Sequence, residues 1–430
     1  MFIGGYLAFS LANSPVQSTK IKNRKINLLP LDGIKVLDAT HVIAGPFASY
    51  QLCLMGAEAI RVERLGGNDF IRKHGGSDNL TSRGLGASFS AQNALKKCLL
   101  IDLKDPRGRD IFLELAAESD VVIENFRPGV MDRLGVGYHD VKTINPTVIY
   151  CSLTGFGPEG PLKDSPAYDH IVQGMSGLMG MTGTPESGPQ RVGLPITDYI
   201  SGLTASMAIT AALHQRSTTG EGQHLQVSML ASVMALMGVF AIDQQTTGQE
   251  RGLQGNLPFS GSPFAGRFET ADGYLVITAN TVDQSLRMLK ALQLNQFKSL
   301  AERGAPYSDK ERDSVSQALS DVFQTKQTEE WERLVNEASV PAGSVMDLGT
   351  LLRHEQIAAL GCMDDLPIPG AESDLKIPGL GFTSNQWSRG KLTEPEQAGQ
   401  STRAVMLDLG YDDMQIAQLI EQGVIASNTD

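Results

Sequence analysis

From Leu31 onward, short apolar runs alternate with helical patterns, and this alternation most narrows the folds open to the chain. Residues 34–39 (IKVLDA), 59–63 (AIRVE), 99–103 (LLIDL), 121–124 (VVIE) and 148–153 (VIYCSL) read as strands. A strand covered by helices on both faces needs such a nearly continuous apolar run, whereas a strand with one wet face alternates. Residues 46–55 and 106–118 read as helices, each with a proline in its first turn, where a fixed φ and a missing N–H do no harm. The order of strands and helices predicts an α/β protein with a doubly wound, Rossmann-like parallel sheet. Such a sheet takes its ligands at the carboxyl ends of its strands.

A chain of 430 residues with 41% hydrophobic side chains exceeds one ordinary domain. The large domain is assigned to residues 31–224 and a small α+β domain to 225–340, with 341–430 returning to the large domain. Residues 196–215 read as a long apolar helix, and 225–242 as a strand running into another. Asp272-Gly273 between β-rich runs marks a hairpin. Helices are expected over 282–292, 314–324, 328–338, 346–360 and 402–421. Glycines at 174, 177, 180 and 183 predict one helix face of small residues that packs closely. Residues 1–30 are set apart as a loosely ordered extension or the product of a start codon placed too far upstream, because their basic patch follows the apolar run, the reverse of a secretory signal.

The net charge of −12 argues against general affinity for nucleic acid or an anionic membrane. No run reaches the roughly 18 apolar residues of a membrane helix. The four cysteines are widely spaced, without a CxxC pair, so neither a disulfide framework nor a metal site is expected, and a cytoplasmic location is the simplest reading. The first strand-to-helix turn, Thr40-His41-Val42-Ile43-Ala44-Gly45-Pro46, lacks GxGxxG, and neither GxxxxGK[ST] nor GxSxG occurs. Dinucleotide oxidoreductases, P-loop enzymes and serine hydrolases of the nucleophile-elbow type are therefore disfavoured.

Several motifs, in order, resemble the class III CoA-transferases, a family that includes formyl-CoA and carnitine-type transferases and the alpha-methylacyl-CoA racemases. They are Leu31-Asp32-Gly33 with Ala44-Gly45-Pro46, Met55-Gly56-Ala57 with Val62-Glu63-Arg64, Ile101-Asp102-Leu103-Lys104, Glu124-Asn125-Phe126-Arg127-Pro128-Gly129, Thr154-Gly155-Phe156-Gly157 and Thr219-Gly220-Glu221-Gly222-Gln223. The resemblance implies an acyl-CoA substrate, no separate cofactor, and an intertwined, ring-like homodimer. It places CoA phosphates near Arg64, Lys104 and Arg133, with an apolar wall from Val42, Ile43 and Ile101 and a passage lined by Asn125 and Phe126. Lys96-Lys97 matches the family's basic pair. A guanidinium fork suits phosphate oxygens, so these residue types fit that chemistry.

By the same resemblance Asp169, in Tyr168-Asp169-His170, is a nucleophile that attacks the thioester of a donor acyl-CoA. A carboxylate is ionised at neutral pH and forms covalent intermediates without a metal. Ser260-Gly261-Ser262 stands where the family carries a glycine-rich loop over the site, and is read equally as a lid or an ordinary turn. Arg191, with Arg72 and His74, offers charge for a second carboxylate, which favours succinyl-CoA as donor and a dicarboxylic acceptor; Arg191 is read equally as a structural residue. The alternatives are a racemase or epimerase and a non-catalytic CoA-binding protein. A racemase needs two acid/base groups; Asp198 stands at one of the two positions, but Tyr168 replaces the histidine expected at the other. In a transferase Asp198 is read as a helix cap or structural acceptor.

Overall fold

The computed structural model describes residues 28–66, 69–371 and 373–428, so most of the 1–30 extension lies outside the described residues. The strands of the large sheet are β1 (Lys35–Ala39), β2 (Glu58–Glu63), β3 (Lys96–Ile101), β4 (Val121–Glu124), β5 (Ile149–Thr154) and β6 (Gln223–Ser228). A three-stranded sheet follows, built from β7 (Ala265–Glu269), β8 (Tyr274–Thr278) and β9 (Ala342–Ser344), and β10 (Ile425–Ala426) closes the chain. The large sheet runs β10-β3-β2-β1-β4-β5-β6. Strands β1 to β6 pair in parallel and β10 lies antiparallel on β3, so the C-terminal segment returns to the large sheet.

The strand order reverses between β1 and β4, where the chain turns back to build the other half of the sheet. Loops leaving the carboxyl ends of these two neighbours diverge to opposite faces, and the crevice between them is the usual ligand site of an open α/β sheet.

The helices of the chain include α1 (Ala44–Leu54), α2 (Pro106–Ala117), α3 (Asp169–Met175), α4 (Ile196–Thr219), α5 (Met229–Leu236) and α6 (Gly238–Thr247). Alternate strand residues serve opposite faces. Val121, Ile123, Ile149 and Cys151 pack under Ala48 and Leu52 of α1 and Ala205 and Ile209 of α4. Leu37, Val122 and Tyr150 face Ile111 and Phe112 of α2, together with Val405 and Ile416 from the C-terminal helices. Helix α4 crosses the start of α1 so closely that a Cβ on Gly202 would lie 2.7 Å from the Ala44 carbonyl oxygen. Glycine here brings the second turn of α4 against the start of α1.

Three expectations need correction. The glycines from 174 to 183 do not share a helix: α3 ends at Met175 and a separate short helix spans Leu178–Met181. Gly177 (φ 86°) and Gly183 (φ 115°) are left-handed breaks, so the repeat serves chain reversal rather than packing. The boundary at residue 225 cuts through β6, whose pairing with β5 continues to Ser228. Residues 346–360 and 402–421 each form two helices rather than one, the second pair parted at Gly410 (φ 93°). The Asp272-Gly273 turn does join β7 to β8, closed by Thr270 N–H to the Gly273 carbonyl at 2.9 Å. This smaller sheet has its own core around Phe268, Leu275, Leu319 and Trp331. Among the described residues no single helix is long and apolar enough to cross a membrane.

Candidate active site

A cleft of about 380 Å³ opens at the switch point. Its walls are His41, Val42, Ile43 and Ala44 after β1, Asn125 to Pro128 after β4, and Thr154 and Gly155 at the end of β5; Lys163, Ser165 to Tyr168 and Asp198 close it. Asn125 holds the two central loops together: its Oδ1 accepts from the His41 N–H (2.9 Å) and its Nδ2 donates to the His41 carbonyl (2.8 Å). The His41 and Phe126 rings meet at 5.1 Å. Val42 is left-handed (φ 65°), a conformation that costs a β-branched residue about 1–3 kcal/mol. Two bonds hold it there, its N–H to Asp69 Oδ2 (3.1 Å) and its carbonyl to Gln92 Nε2 (3.2 Å).

Beneath this loop lies a buried charge cluster. Arg61 donates to Glu63 (3.0 Å), Asp69 (2.6 Å) and Asn93 (3.1 Å), and Arg72 also pairs with Glu63 and lies 3.7 Å from the Phe89 ring centre. Lys96 Nζ reaches Asp38 (3.0 Å), Asn93 (3.0 Å) and the Pro46 carbonyl (2.8 Å). Burial pulls toward the neutral acids, but the cations prevail: Glu63 is held down to about 2 by Arg61 and Arg72, and Asp38 is held low by Lys96 and Arg61.

Asp169 is the first residue of α3, half-buried, and follows Tyr168 of the cleft wall without being part of that wall itself. Its Oδ1 accepts from both the N–H and the hydroxyl of Thr197, each at 2.8 Å, and its Oδ2 from Gln173 Nε2 at 2.7 Å. Thr197 lies in the first turn of α4, where backbone N–H groups have no helical partner. Asp198 is neither a cap nor an acceptor: Pro195 precedes the helix, and no hydrogen bond reaches the Asp198 carboxylate from the described residues. Burial and then the Asp169 charge raise it to about 7.

The raised Asp198 carboxyl gives a stability prediction. It ionises near its ordinary value of 3.8 in the unfolded chain and near 7 in the folded one, so the folded state binds the extra proton between these limits. Stability falls as pH rises through that window and stays lost above it. Asp198→Asn is therefore expected to stabilise the protein at pH 8 by on the order of 1–3 kcal/mol, with the gain vanishing near pH 4. Urea unfolding at both pH values measures this.

The residues expected from sequence divide into three groups. Val42, Ile43, Asn125, Phe126 and Asp198 converge on the cleft. Arg64, Lys104 and Arg133 are exposed beyond the carboxyl ends of β2, β3 and β4, without an ion pair among the described residues. The remainder stand elsewhere. Ile101 is 1% exposed and paired with Ile425 in the core, so it backs the sheet rather than walling the cleft. Lys96 and Arg72 are consumed by buried ion pairs, and His74 bonds Ser88. Arg191 is exposed and donates to the Val192 carbonyl. Ser260, Gly261 and Ser262 are tied to Asn280, Arg312 and the Ala279 carbonyl beside the small sheet, away from the cleft of the same chain. Sequence reasoning missed Arg127 and Lys163 in the cleft wall, and Thr197. It also missed Gln173, whose spacing of four from Asp169 on a helix was a usable signal.

Residues 31–402 match the family model described as CoA-transferase family III. The chain belongs to this family. The human succinyl-CoA:glutarate CoA-transferase is 32% identical over 93% of the chain and 90% of its own length. An acetyl-CoA:oxalate CoA-transferase from Acetobacter aceti is 36% identical over 77% of the chain and 84% of its own length. The crystal structure of a CAIB/BAIF family protein from Brucella suis superposes with a TM-score of 0.77, at 26% identity, covering 89% of this chain and 99% of that one. The chain is accordingly a CoA-transferase, with its cleft at the switch point of the family's α/β sheet.

Proposed function

We propose that this CoA-transferase moves CoA from succinyl-CoA to a dicarboxylic acid through a covalent intermediate on Asp169. The observation that carries this reading is the Asp169 carboxylate, fixed by Thr197 and Gln173 beside Tyr168 and Asp198 of the cleft wall. Attack by this carboxylate on the donor thioester gives an acyl-aspartyl anhydride and frees CoA thiolate. The acceptor acid then replaces the donor acid, and CoA leaves on the new acyl group. Arg64, Lys104 and Arg133 receive the CoA phosphates. Arg127 and Lys163, both exposed and free of ion pairs among the described residues, supply charge for the distal carboxylate, the role expected of Arg191. The relatives' named acids, glutarate and oxalate, are both dicarboxylic, while their named donors differ.

Incubation with succinyl-CoA, and separately with acetyl-CoA, followed by hydroxylamine trapping and peptide mass mapping, tests this. A modification on Asp169 from succinyl-CoA is expected. No adduct from either donor, with deuterium uptake at the α-carbon of a 2-methylacyl-CoA, replaces the reading with a racemase that uses the neighbouring Asp169 and Asp198 as its two acid/base groups.

The active form is proposed to be a homodimer. Helices α4, α5 and α6 expose Met207 (68%), Leu236 (63%) and Ile242 (66%), an apolar surface that a second copy would cover. Sedimentation should find no stable monomer, and a well-folded monomer rejects this part of the proposal.

A further inference from the structure

The hydrogen bonds on Asp169 distinguish its two oxygens. Oδ1 accepts two, from the Thr197 N–H and hydroxyl, and both of its lone pairs are engaged. Oδ2 accepts one, from Gln173, and keeps a lone pair free among the described residues. The Gln173 amide cannot be turned round: Nε2 faces two acceptors, Asp169 Oδ2 and the Leu194 carbonyl, while Oε1 accepts from the Val192 N–H. The Thr197 hydroxyl has a second acceptor in the Asp169 main-chain carbonyl, at 3.2 Å against 2.8 Å for Oδ1.

We infer that Oδ2 is the attacking oxygen and that the N–H and hydroxyl of Thr197 form the oxyanion hole for reactions at the Asp169 carbonyl carbon. This rests on the reading of Asp169 as nucleophile. Attack of Oδ2 on the donor forms the O–C bond of the anhydride and breaks the donor's C–S bond, and the electron pair leaves on CoA sulfur. Return of the thiolate to the Asp169 carbonyl carbon places negative charge on Oδ1, where the two Thr197 donors already point. Collapse breaks the C–Oδ2 bond, releases the donor acid with that oxygen, and leaves an aspartyl-CoA thioester. The acceptor carboxylate attacks the same carbon and expels the thiolate, giving the new anhydride. CoA sulfur then attacks its acyl carbon, leaving Asp169 with one oxygen from the acceptor. No oxidant or external proton donor enters.

Two measurements test the inference, with Asp169→Ala as the control for the reading beneath it. First, the enzyme is cycled with the acyl-CoA that labels Asp169 and that acyl group's free acid, labelled with heavy oxygen in its carboxylates. The Asp169 peptide should gain one heavy oxygen and hold there; two would show that Oδ1 and Oδ2 exchange roles. Second, Thr197→Val keeps the N–H and the bulk but loses the hydroxyl, and should lower kcat by about 10²-fold with little change in donor KM. Thr197→Ser restores the hydroxyl and should recover most of the rate. A Thr197→Val enzyme within about threefold of wild type, or a folded Thr197→Ser enzyme as slow as Thr197→Val, overturns the oxyanion hole. Retained transfer by Asp169→Ala rejects the nucleophile itself, whereas an inactive Asp169→Ala with either adverse result rejects only the assignment of oxygens and donors.

Discussion

Asp169→Ala is expected to lower transferase turnover by about 10⁴-fold or more while leaving the fold intact, because in the proposed mechanism it removes the atom that forms the covalent bond. Nothing nearby takes its place. Asp198 is the adjacent carboxyl, but burial and the charge of Asp169 raise it to about 7, and no donor among the described residues fixes its oxygens. Asp169→Asn retains the shape and an acceptor for Thr197 yet presents an amide, a far weaker nucleophile, so it should be nearly as inactive. Asp169→Glu keeps the carboxylate and displaces it by about one carbon–carbon bond, and a misplacement of about 1 Å costs around 10²-fold. Its loss should therefore fall well short of that of the alanine variant. Steady-state turnover of the three variants gives this ranking, and equal losses in all three would show that placement is not what the surrounding bonds provide. In Asp169→Ala the Asp198 pKa loses one of its two upward influences, so any residual activity through Asp198 should extend to lower pH.

The parallel half of the fold was legible because burial on both faces leaves a plain mark. The span 121–124 was read with its ends correct, since every residue of β4 is buried. Glycine spacing misled for a physical reason: residues at every third position suit a helix stripe, but Gly177 and Gly183 are used for their φ, which no spacing rule records. The site divided in the same way. Motif residues next to strand ends, such as Asn125 and Phe126, were found because the chain itself carries them to the switch point. Thr197 was passed over for its neighbour Asp198, although Thr197 is the one that bonds Asp169, a contact across 28 residues. Lys96 was read as half of a basic pair because its partner Asp38 lies 58 residues away, and only the folded sheet brings the two together.

Arg61 and Arg64 stand three residues apart on the same segment, and their replacement should have opposite consequences. The Arg61 side chain is wholly buried and joins Glu63, Asp69 and Asn93. Arg61→Met strands negative charge in the interior: Glu63 keeps Arg72, but Asp69 loses its only ion pair among the described residues. Removing one member of a buried pair costs about 3–5 kcal/mol, a large share of a typical domain's stability. Lysine does not rescue it, because a single ammonium cannot span three separated acceptors as the guanidinium does. The damage also reaches the cleft, since Asp69 holds the Val42 N–H and thereby a left-handed residue in its wall. Folded Arg61→Met enzyme should therefore show a raised KM for acyl-CoA as well as a lowered urea midpoint. Arg64→Met removes an exposed charge with no ion pair among the described residues, so stability should stay within about 0.5 kcal/mol of wild type while KM for acyl-CoA rises. If Arg64→Met leaves KM unchanged, the phosphate rim must be sought at Lys104 and Arg133. If Arg61→Met unfolds at the wild-type urea concentration, the buried cluster is not what fixes the β1 loop.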